Sequence, residues 1–507
     1  MANLKIPSEG HGAPKPVQFI LNGVHVTLDD VSPHDLLIDY LHSAGVGLKG
    51  PKLVCGEAGC GACTVMETVW DDTEGRLVRR AINSCVRPLA SLDGAMITTT
   101  EGIGSTRDGM DKVQYALAAH NGSQCGFCSA GFVMNMYTLL QDRSGPLTEA
   151  EIEQNFDGHI CRCTGYRPIL DGFKTFADDY VPPATPQNIE VAEGWEPAVK
   201  LLEVAAPPPT HFESYMQVPN FAFYENGRQS YARATDHATL TAILSEVAPC
   251  EGGRRLVSGN TSIGIYKTVP VYGESAISPA NHVDISRVAE LQGISTSLGE
   301  AEGANALDIG AGVTLAQLIA ELEAQIAAAP AGHVRAYEGM LRHLRIVANL
   351  QVRAVASVGG NIAMAVNYGF VSDVIVLLAA LRTTVQVHSV TDAQVESTFD
   401  ILDLPRQDPD AAEFAVYSRF TPTAGVGPNW HFSSHKVRTR PDNAHAIVNN
   451  ALSVEIIDGC ATQASLVING LVPEVEGGVL RSFGGNPAFE AVRMLGVEDA
   501  LVGMPWD

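Results

Sequence analysis

The feature that most constrains this chain is the arrangement of its cysteines, because eight of its ten cysteines fall into two compact sets. The first set lies within VCGEAGCGACTV and INSCV, and the second within QCGFC and HICRCTGYRP. Ordinary core cysteines are neither so numerous nor so regularly spaced. Two sets of four thiols predict two metal centres side by side, with ligands Cys55, Cys60, Cys63 and Cys85 in the first and Cys125, Cys128, Cys161 and Cys163 in the second.

The spacing of the first set is that of a plant-type [2Fe–2S] site, with Cys-x4-Cys-x2-Cys followed by a more distant cysteine. Thiolates are soft ligands that suit iron–sulfur clusters or zinc. Gly56, Gly59 and Gly61 let the backbone wrap closely and direct amides at sulfur, which helps to set a cluster's potential. A four-thiolate zinc site usually has two Cys-x2–4-Cys pairs, so the spacing favours iron–sulfur over zinc.

The second set is less generic, because Cys125-x2-Cys128 is followed by the closely spaced pair Cys161-x-Cys163. Cys-x-Cys pairs are unusual in structural zinc sites. An isolated Cys-x-x-Cys could be a redox dithiol, yet no thioredoxin-like βαβ pattern surrounds it. The helical setting could hold a second cluster, and from spacing alone a zinc site or simple packing stays open.

Composition narrows the class of protein. A chain of 507 residues is long enough for roughly three domains of about 150 residues each. The net charge of −24 disfavours a nucleic-acid or anionic-membrane partner. The N-terminus has no apolar segment, and no run approaches the roughly 20 apolar residues of a membrane span. We therefore expect a cytoplasmic, reducing compartment, where cysteine sets bind metal more often than they form disulfides.

The pattern along the chain predicts four parts. Val17 to Ile97 is β-rich, with an Asn-Gly hairpin in QFILNGVHVTL and a short helix in PHDLLIDYLHSAG. Residues 106–180 show helical spacing of apolar residues, with a Thr cap in GPLTEAEIE. Residues 181–215 are proline-rich and predict an extended linker. Beyond them, short apolar strands alternate with helices, as in an α/β unit.

Two glycine-rich stretches mark the C-terminal half, LVSGNTSIG from Leu256 to Gly264 and SVGGNIAMA from Ser357 to Ala365. Neither is the G-x-G-x-x-G fingerprint, so a Rossmann dinucleotide site is disfavoured. Such loops can present several backbone amides to a pyrophosphate. Each stretch taken singly also fits an ordinary turn.

GEAGCGACTV, QCGFCSAGFVM and CRCTGYRPI closely resemble the iron–sulfur domains of the molybdenum hydroxylase family, which includes xanthine dehydrogenase and aldehyde oxidase, and the two glycine-rich stretches resemble its flavin domain. The resemblance runs from about Val17 to Gly485 and implies an α+β multidomain fold. The implied parts are a β-grasp plant-type ferredoxin domain (16–104), a four-helix-bundle [2Fe–2S] domain (105–182), a linker (183–214), an α/β FAD-binding domain of the PCMH, vanillyl-alcohol-oxidase-like type (215–405) and a C-terminal lobe of the flavin domain (406–507).

The resemblance also implies roles for individual residues. The first cysteine set would hold the distal cluster and the second the cluster next to molybdopterin, with Gln124 touching the pterin. Both glycine-rich loops would clasp the FAD pyrophosphate through Leu256, Val257, Ser258, Gly259, Asn260, Thr261, Ser262 and Ile263 in the first and Ser357, Val358, Gly359, Gly360 and Asn361 in the second. Ser372 and Asp373 would assist FAD binding. Tyr337 would stack by the flavin, and Lys436 would contact its reactive side, although a solvated basic strand fits Lys436 equally well.

The activity implied by the resemblance is electron transfer. Electrons from a molybdopterin centre would pass through two clusters to FAD and then to NAD or O2, with no catalytic residue in this chain. The molybdenum-binding domain is absent from the sequence and the end of the flavin domain looks short, so we expect a small subunit with a molybdopterin-binding partner, in a dimeric or higher assembly, or a truncated longer chain. Alternatives are the small subunit of an aldehyde or carbon monoxide oxidising homologue, a stand-alone iron–sulfur flavoprotein reductase, and a non-catalytic interaction remnant.

Overall fold

The protein is a mixed α/β chain with separate β-rich, helical and α/β parts. The computed structural model describes residues 16–71, 75–143, 145–182, 222–226, 229–247, 254–268, 281–298, 305–389, 396–404, 415–425, 427–471, 482–483, 486–487 and 490–506. The proline-rich segment predicted as a linker, 183–214, lies outside these residues.

The N-terminal part is a five-stranded sheet with one helix packed on it. Its strands lie in the order Val24–Leu28, Val17–Leu21, Met96–Thr98, Thr64–Asp71 and Arg76–Asn83. Asn22 and Gly23 form the first hairpin turn, both with positive φ, as a type I′ turn requires. The helix Leu37–His42 buries Leu37 and Leu41 against the sheet. The hairpin and the short helix predicted from the sequence are both confirmed.

The next part is helical, as its apolar spacing predicts. It contains the helices Lys112–Ala119, Ser129–Asp142, Glu149–Gln154 and Arg167–Lys174. Thr148 forms the expected capping box with Glu151. A core that includes Phe132, Phe156 and Phe173 joins these helices. Each cysteine pair of the second set therefore lies just before a helix, the first before Ser129 and the second before Arg167.

The α/β part contains two sheets and seven helices within the described residues. One sheet has the order Ala222–Asn226, Gln229–Arg233, Asn281–Asp284, Arg254–Val257, and the other Ile294–Leu298, Asn305–Gly310, Ala415–Thr421, Thr384–Ser389, Glu396–Asp400. The helices are His237–Val247, Ser262–Thr268, Leu315–Ala328, Arg335–Leu344, Leu350–Arg353, Val358–Tyr368 and Asp373–Ala380. The predicted alternation of strands and helices is confirmed.

The last part is an antiparallel sheet in the order Trp430–Arg438, Ala446–Ile457, Cys460–Leu471, Glu490–Arg493, beside the short pair Ser482–Phe483 and Asn486–Pro487 and the helix Leu495–Leu501. Ala451 and Val467 of this sheet join the apolar core of the α/β part. The strand Trp430–Arg438 packs on the helix Arg335–Leu344. The sheet is therefore one wall of the same core.

The second glycine-rich stretch, expected from the sequence to be a loop, is the start of a helix. Ser357 is the N-cap of the helix Val358–Tyr368, and its hydroxyl accepts a hydrogen bond from the Gly360 amide at 3.1 Å. Gly359 and Gly360 thus occupy the first helical turn, whose amides have no intrahelical acceptor.

Among the described residues, no single helix has the length and apolarity needed to cross a membrane; one bent pair, Val358–Tyr368 with Asp373–Ala380, meets that test on length and composition alone.

Candidate functional site

The four thiols of the first set converge on one loop of the N-terminal part. Cys55 contacts both Cys60 and Cys85, and Cys85 also contacts Cys63. These contacts, with Cys60 first, hold the pKa of Cys55 well below its ordinary value. Contacts with Cys55 and then Cys63 raise the pKa of Cys85. Thiols within hydrogen-bond reach of one another lie close enough to act together as ligands.

Backbone amides of the loop point at these sulfurs. The Glu57 amide donates to Cys55 Sγ at 3.4 Å, and the Gly59 amide bonds to the same sulfur. The Ala58 amide bonds to the Cys85 sulfur. Amide donors of this kind hydrogen-bond to thiolates and tune iron–sulfur clusters, so the donor set fits a [2Fe–2S] group.

The second set also meets in pairs. Cys125 contacts Cys163, and Cys128 contacts Cys161. Burial, followed by the Cys161 thiol, raises the pKa of Cys128 to about 12. The Thr164 hydroxyl lies 3.1 Å from the Cys161 sulfur. Within the described part of the chain, no three His, Cys, Asp or Glu side chains surround the position of a single metal ion.

The two cysteine sets are joined through the backbone. The Ile160 amide, next to Cys161, donates to the Cys60 carbonyl at 3.1 Å. Gly61 has a φ of +71°, and a Cβ there would meet the Gly158 carbonyl at 2.6 Å. Glycine at this position therefore lets the first loop lie directly against the segment that carries the second pair of ligands.

A cavity of about 240 Å³ lies where the first cysteine loop meets the α/β part. Its wall contains Glu57 and Ala58 of that loop. It also contains predicted FAD ligands from both glycine-rich stretches, namely Leu256, Val257, Ser258, Gly259, Asn260, Thr261, Ser262, Ser357, Gly359, Gly360 and Asn361, together with Asp373 and Lys436. The structure thus brings together segments that are far apart in the sequence.

The glycines of both stretches are needed for close packing at this cavity. A Cβ at Gly259 would collide with the Val355 carbonyl, and one at Gly359 would lie 2.8 Å from the Ala311 Cβ. Asn260 donates through Nδ2 to the Val86 carbonyl at 2.8 Å, while its buried side-chain oxygen has no partner within the described residues. A cavity that side chains at these glycines would fill, with an unpaired buried oxygen in its wall, fits a ligand such as FAD, whose ribityl hydroxyls donate hydrogen bonds.

A buried charged network forms another part of the cavity wall. Lys436 Nζ lies 2.7 Å from Asp373 Oδ2. Asp373 Oδ1 accepts hydrogen bonds from His343 Nε2 at 3.0 Å and from Asn449 Nδ2 at 2.9 Å. Burial raises the pKa of Asp373, but the His343 hydrogen bond and the Lys436 charge outweigh it, so the net pKa is lowered. Lys436 is therefore a buried, paired cation and not part of a solvated strand.

Several predicted residues lie outside the cavity wall. Ser372 caps the helix Asp373–Ala380 and donates to Asn361, so its contact with the site is indirect. Ile263 and Val358 are buried in neighbouring apolar clusters. Tyr337 is also buried in the core, and burial raises its pKa to about 12, so its ring is packed among apolar side chains and does not line the cavity. Gln124 is exposed beside the second cysteine set.

The cavity wall also contains residues that the sequence did not single out. They include Arg254, Arg255, Tyr368, Asn443 and His445, as well as Glu57 and Ala58. Arg255 donates to the Ser262 hydroxyl at 2.7 Å. The sequence did offer one clue to Arg255: it directly precedes LVSGN, and a pyrophosphate site favours positive charge. The remaining residues of this group carry no comparable motif in the sequence around them.

Comparison with known proteins identifies the parts of the chain. Residues 99–174 match the [2Fe-2S] binding domain, and residues 223–412 match the FAD binding domain in molybdopterin dehydrogenase. The chain is 32% identical over 471 residues to a xanthine dehydrogenase/oxidase of Felis catus, covering 89% of this chain and 33% of that protein. It is 30% identical over 524 residues to an aldehyde oxidase 4 of Cavia porcellus, covering 96% and 36%.

The chain spans about a third of the length of these curated relatives. Among solved structures, a carbon monoxide dehydrogenase from Hydrogenophaga pseudoflava matches 56% of this chain and 83% of its own, with 17% identity and a TM-score of 0.41. That similarity is too weak to define the fold. The sequence matches, the converging thiols and the glycine-lined cavity agree, and the chain belongs to the molybdenum hydroxylase family of oxidoreductases, of which it carries an iron–sulfur and FAD-binding portion.

Proposed function

We propose that this chain is the electron-transfer part of a xanthine dehydrogenase-like molybdenum hydroxylase, placed between a molybdopterin centre on a partner subunit or further domain and the acceptor NAD or O2. One observation carries the proposal. Glu57 and Ala58 of the first cysteine loop line the same cavity as the two glycine-rich stretches. A cluster bound at that loop would therefore lie beside the ligand of the cavity.

When bound, two [2Fe–2S] clusters would supply one-electron chemistry, and FAD would link it to two-electron acceptors. The protein's own residues bind and orient these groups. Amides of the first loop donate to the Cys55 and Cys85 sulfurs. The stretches around Gly259 and Gly359 line the cavity as a cradle for pyrophosphate, and the Lys436–Asp373 ion pair supplies a fixed dipole in its wall. Gln124, exposed next to Cys125, would meet the pterin.

The finer division of the fold is part of this proposal. The strand order of the N-terminal sheet supports a β-grasp domain over 16–104, and the four helices support a bundle over 105–182. We assign the α/β part, which includes the match to an FAD binding domain, to the PCMH type expected from the sequence. The strand Ala415–Thr421 pairs within its second sheet. We therefore propose that this domain extends from 215 to about 421, beyond the limit at 405 expected from the sequence.

An exposed group of apolar side chains supports the proposal that this chain binds a partner subunit or domain. We call Leu53, Val54, Phe127, Ile160 and Tyr166 the apolar patch; each is at least one-third exposed. Three of its members lie beside the second cysteine set: Phe127 lies between Cys125 and Cys128, Ile160 precedes Cys161, and the Tyr166 hydroxyl accepts from the Cys161 amide at 3.2 Å, while Leu53 and Val54 precede Cys55. Large exposed apolar patches mark interaction sites. This patch favours a molybdopterin-bearing partner over a stand-alone reductase.

The substrate of that partner is open between two classes. Xanthine dehydrogenases and aldehyde oxidases both match most of this chain at similar identity. We propose a purine or an aldehyde, the choice being made by a substrate pocket outside this portion.

The test is metal, sulfide and flavin analysis with EPR of the dithionite-reduced protein. Two clusters require about four iron and about four acid-labile sulfide per chain, with two distinguishable signals. Bound FAD should be released by denaturation at about one per chain. Zinc in place of iron, or a protein that takes up no flavin, would refute the proposal.

A further inference from the structure

Two asparagines from the FAD-binding part reach into the first cysteine loop. Asn349 Nδ2 donates to the Ala58 carbonyl at 2.8 Å, and Asn443 Nδ2 donates to the Gly59 carbonyl at 2.6 Å. The two are joined, because Asn349 Nδ2 also lies 3.2 Å from Asn443 Oδ1. Asn349 is fully buried. These two side chains are called the asparagine pair below.

Through the Ala58 carbonyl, Asn349 holds the peptide group that carries the Gly59 N–H, and through the Gly59 carbonyl, Asn443 holds the next peptide group, which carries the N–H of the ligand residue Cys60. The Ala58 amide bonds to the Cys85 sulfur, and the Gly59 amide bonds to the Cys55 sulfur. Ala58 has a φ of +60°, a left-handed conformation that is costly for any residue with a Cβ. Such a conformation persists only where its surroundings hold it. The bond from Asn349, together with one from Asn83 Nδ2 at 3.4 Å, holds the Ala58 carbonyl.

The asparagine pair is itself held rigidly. Asn349 Oδ1 accepts from the Val352 amide at 2.9 Å and so caps the helix Leu350–Arg353. That helix is anchored to the helical part, since Arg353 pairs with Asp157 at 2.7 Å. Asn443 lines the cavity assigned to FAD. The same two side chains therefore touch the cavity wall, the first cysteine loop and the docked helix.

We propose that Asn349 and Asn443 are positioning residues that set the reduction potential of the first cluster from the flavin side. Asn349 orients the Ala58–Gly59 peptide group so that its N–H points at the Cys55 sulfur, and Asn443 fixes the adjoining Gly59–Cys60 peptide group, which leads directly into the ligand Cys60. Amide donors to sulfur stabilise the additional negative charge of a reduced cluster, and partners of ligands commonly tune metal sites in this way. The inference rests on the proposed function, because it needs a cluster at the first set.

The experiment uses two variants of the full chain. Asn349→Asp keeps the oxygen that caps the helix but loses both donated hydrogen bonds and places a charge beside the Ala58 carbonyl. Asn443→Gly removes the bond to Gly59 and suits the left-handed φ of +48° at this position, and it serves if the buried variant fails to fold. In both, we expect a first-cluster EPR signal with altered g values and a lower midpoint potential. The second-cluster signal should not change.

The control is Arg353→Gln, which breaks an ion pair between the FAD-binding part and the helical part, leaves the bond from the Val352 amide to Asn349 in place and does not touch Ala58 or Gly59. It should leave the first-cluster potential at the wild-type value. An unchanged potential and spectrum in both asparagine variants, or an equal shift in the arginine control, would overturn the role of the pair. A wild-type protein without a first-cluster signal would overturn the proposed function itself, so the two failures are distinguishable.

Discussion

The two cysteine sets have the same number of thiols and opposite surroundings. Cys63 and Cys85 of the first set are buried, and their loop lies between the N-terminal sheet and the flavin-type cavity. Cys125 and Cys163 of the second set are exposed, and Phe127, Ile160 and Tyr166 of the apolar patch lie beside that set. The first set therefore faces the protein's own ligand cavity, and the second faces outward. Under the proposed function, electrons would enter at the exposed set and leave through the enclosed one.

The largest expected effect comes from removing one ligand of either set. Cys163→Ser should abolish the second-cluster EPR signal while leaving the first-cluster signal and the flavin intact. Cys63→Ser should do the reverse, because each cluster needs all four thiolates. EPR of the reduced variants with iron analysis measures this. Loss of both signals in either variant would show that the division into two sets is wrong.

The next largest effect should come from breaking the buried ion pair between Lys436 and Asp373 in the cavity wall. Asp373→Asn leaves Lys436 without its carboxylate, although both side chains are almost wholly buried. Breaking a buried pair from one side costs about 3–5 kcal/mol of unfolding free energy. Chemical denaturation of the flavin-free protein measures it. The exposed pair Arg345–Glu323 is the matched control, and Glu323→Gln should cost less than about 1 kcal/mol.

The outward side should depend on its apolar patch. Phe127→Asp places a charge where a partner would bury the ring, and we expect a loss of partner affinity of about thirtyfold or more, as for an interface hot spot. Binding to the isolated molybdopterin-bearing subunit measures this, with both EPR signals retained. Val24→Asp, at a valine that is 66% exposed elsewhere, should bind normally. Equal affinity for both variants would remove the patch from the interface.

Acidic pH should lower the stability of the folded protein near the first cysteine set, because His282 is buried there without a charge. Burial, followed by Arg255 and His34, lowers the pKa of His282 to about 3. The folded state then binds fewer protons than the unfolded chain between pH 6.5 and 3, so stability is lost as pH falls through that window. From pH 7 to pH 5 this one group should remove about 2 kcal/mol. His282→Phe should flatten the loss in denaturation at the two pH values; an unchanged slope would contradict the assignment.

His282 also shows where the pH dependence is located. Its ring packs edge-on against His34 of the N-terminal part, with centroids 5.0 Å apart. Protonation would place a charge next to Arg255, which lines the cavity. The expected acid sensitivity therefore lies at the junction that brings the first cysteine set to the flavin-type cavity, and not at the exposed set.

Local features of the fold were predictable from the sequence. The pair Asn22-Gly23 predicted a hairpin turn, and Thr148 followed by Glu151 predicted a helix cap; the structure contains both. The second glycine-rich stretch was harder, because Gly-Gly lowers helix propensity and reads as a loop. In the structure, packing of Gly359 against Ala311 and the Ser357 cap make those glycines a helical turn. Tertiary packing overrode the local preference.

The make-up of the cavity was only partly predictable. The two glycine-rich stretches predicted part of the cavity wall, but Asn443, His445 and Glu57 come from segments far from those stretches. The buried position of Tyr337 likewise depends on which face of its helix meets the core. Periodicity along a chain reports a residue's face on its own element, and it carries no information on which distant element that face will meet.

By itself, the sequence determined the family, and it predicted the metal ligands from cysteine spacing and a pyrophosphate cradle from the glycine-rich stretches, because such motifs depend on a few neighbouring residues. Only the tertiary structure decided the order and the environment of those sites. It enclosed one cysteine set against the cavity under two asparagines and left the other exposed beside an apolar patch. The reason is physical, since burial and contact between distant segments depend on how whole elements pack and are not carried by any local pattern.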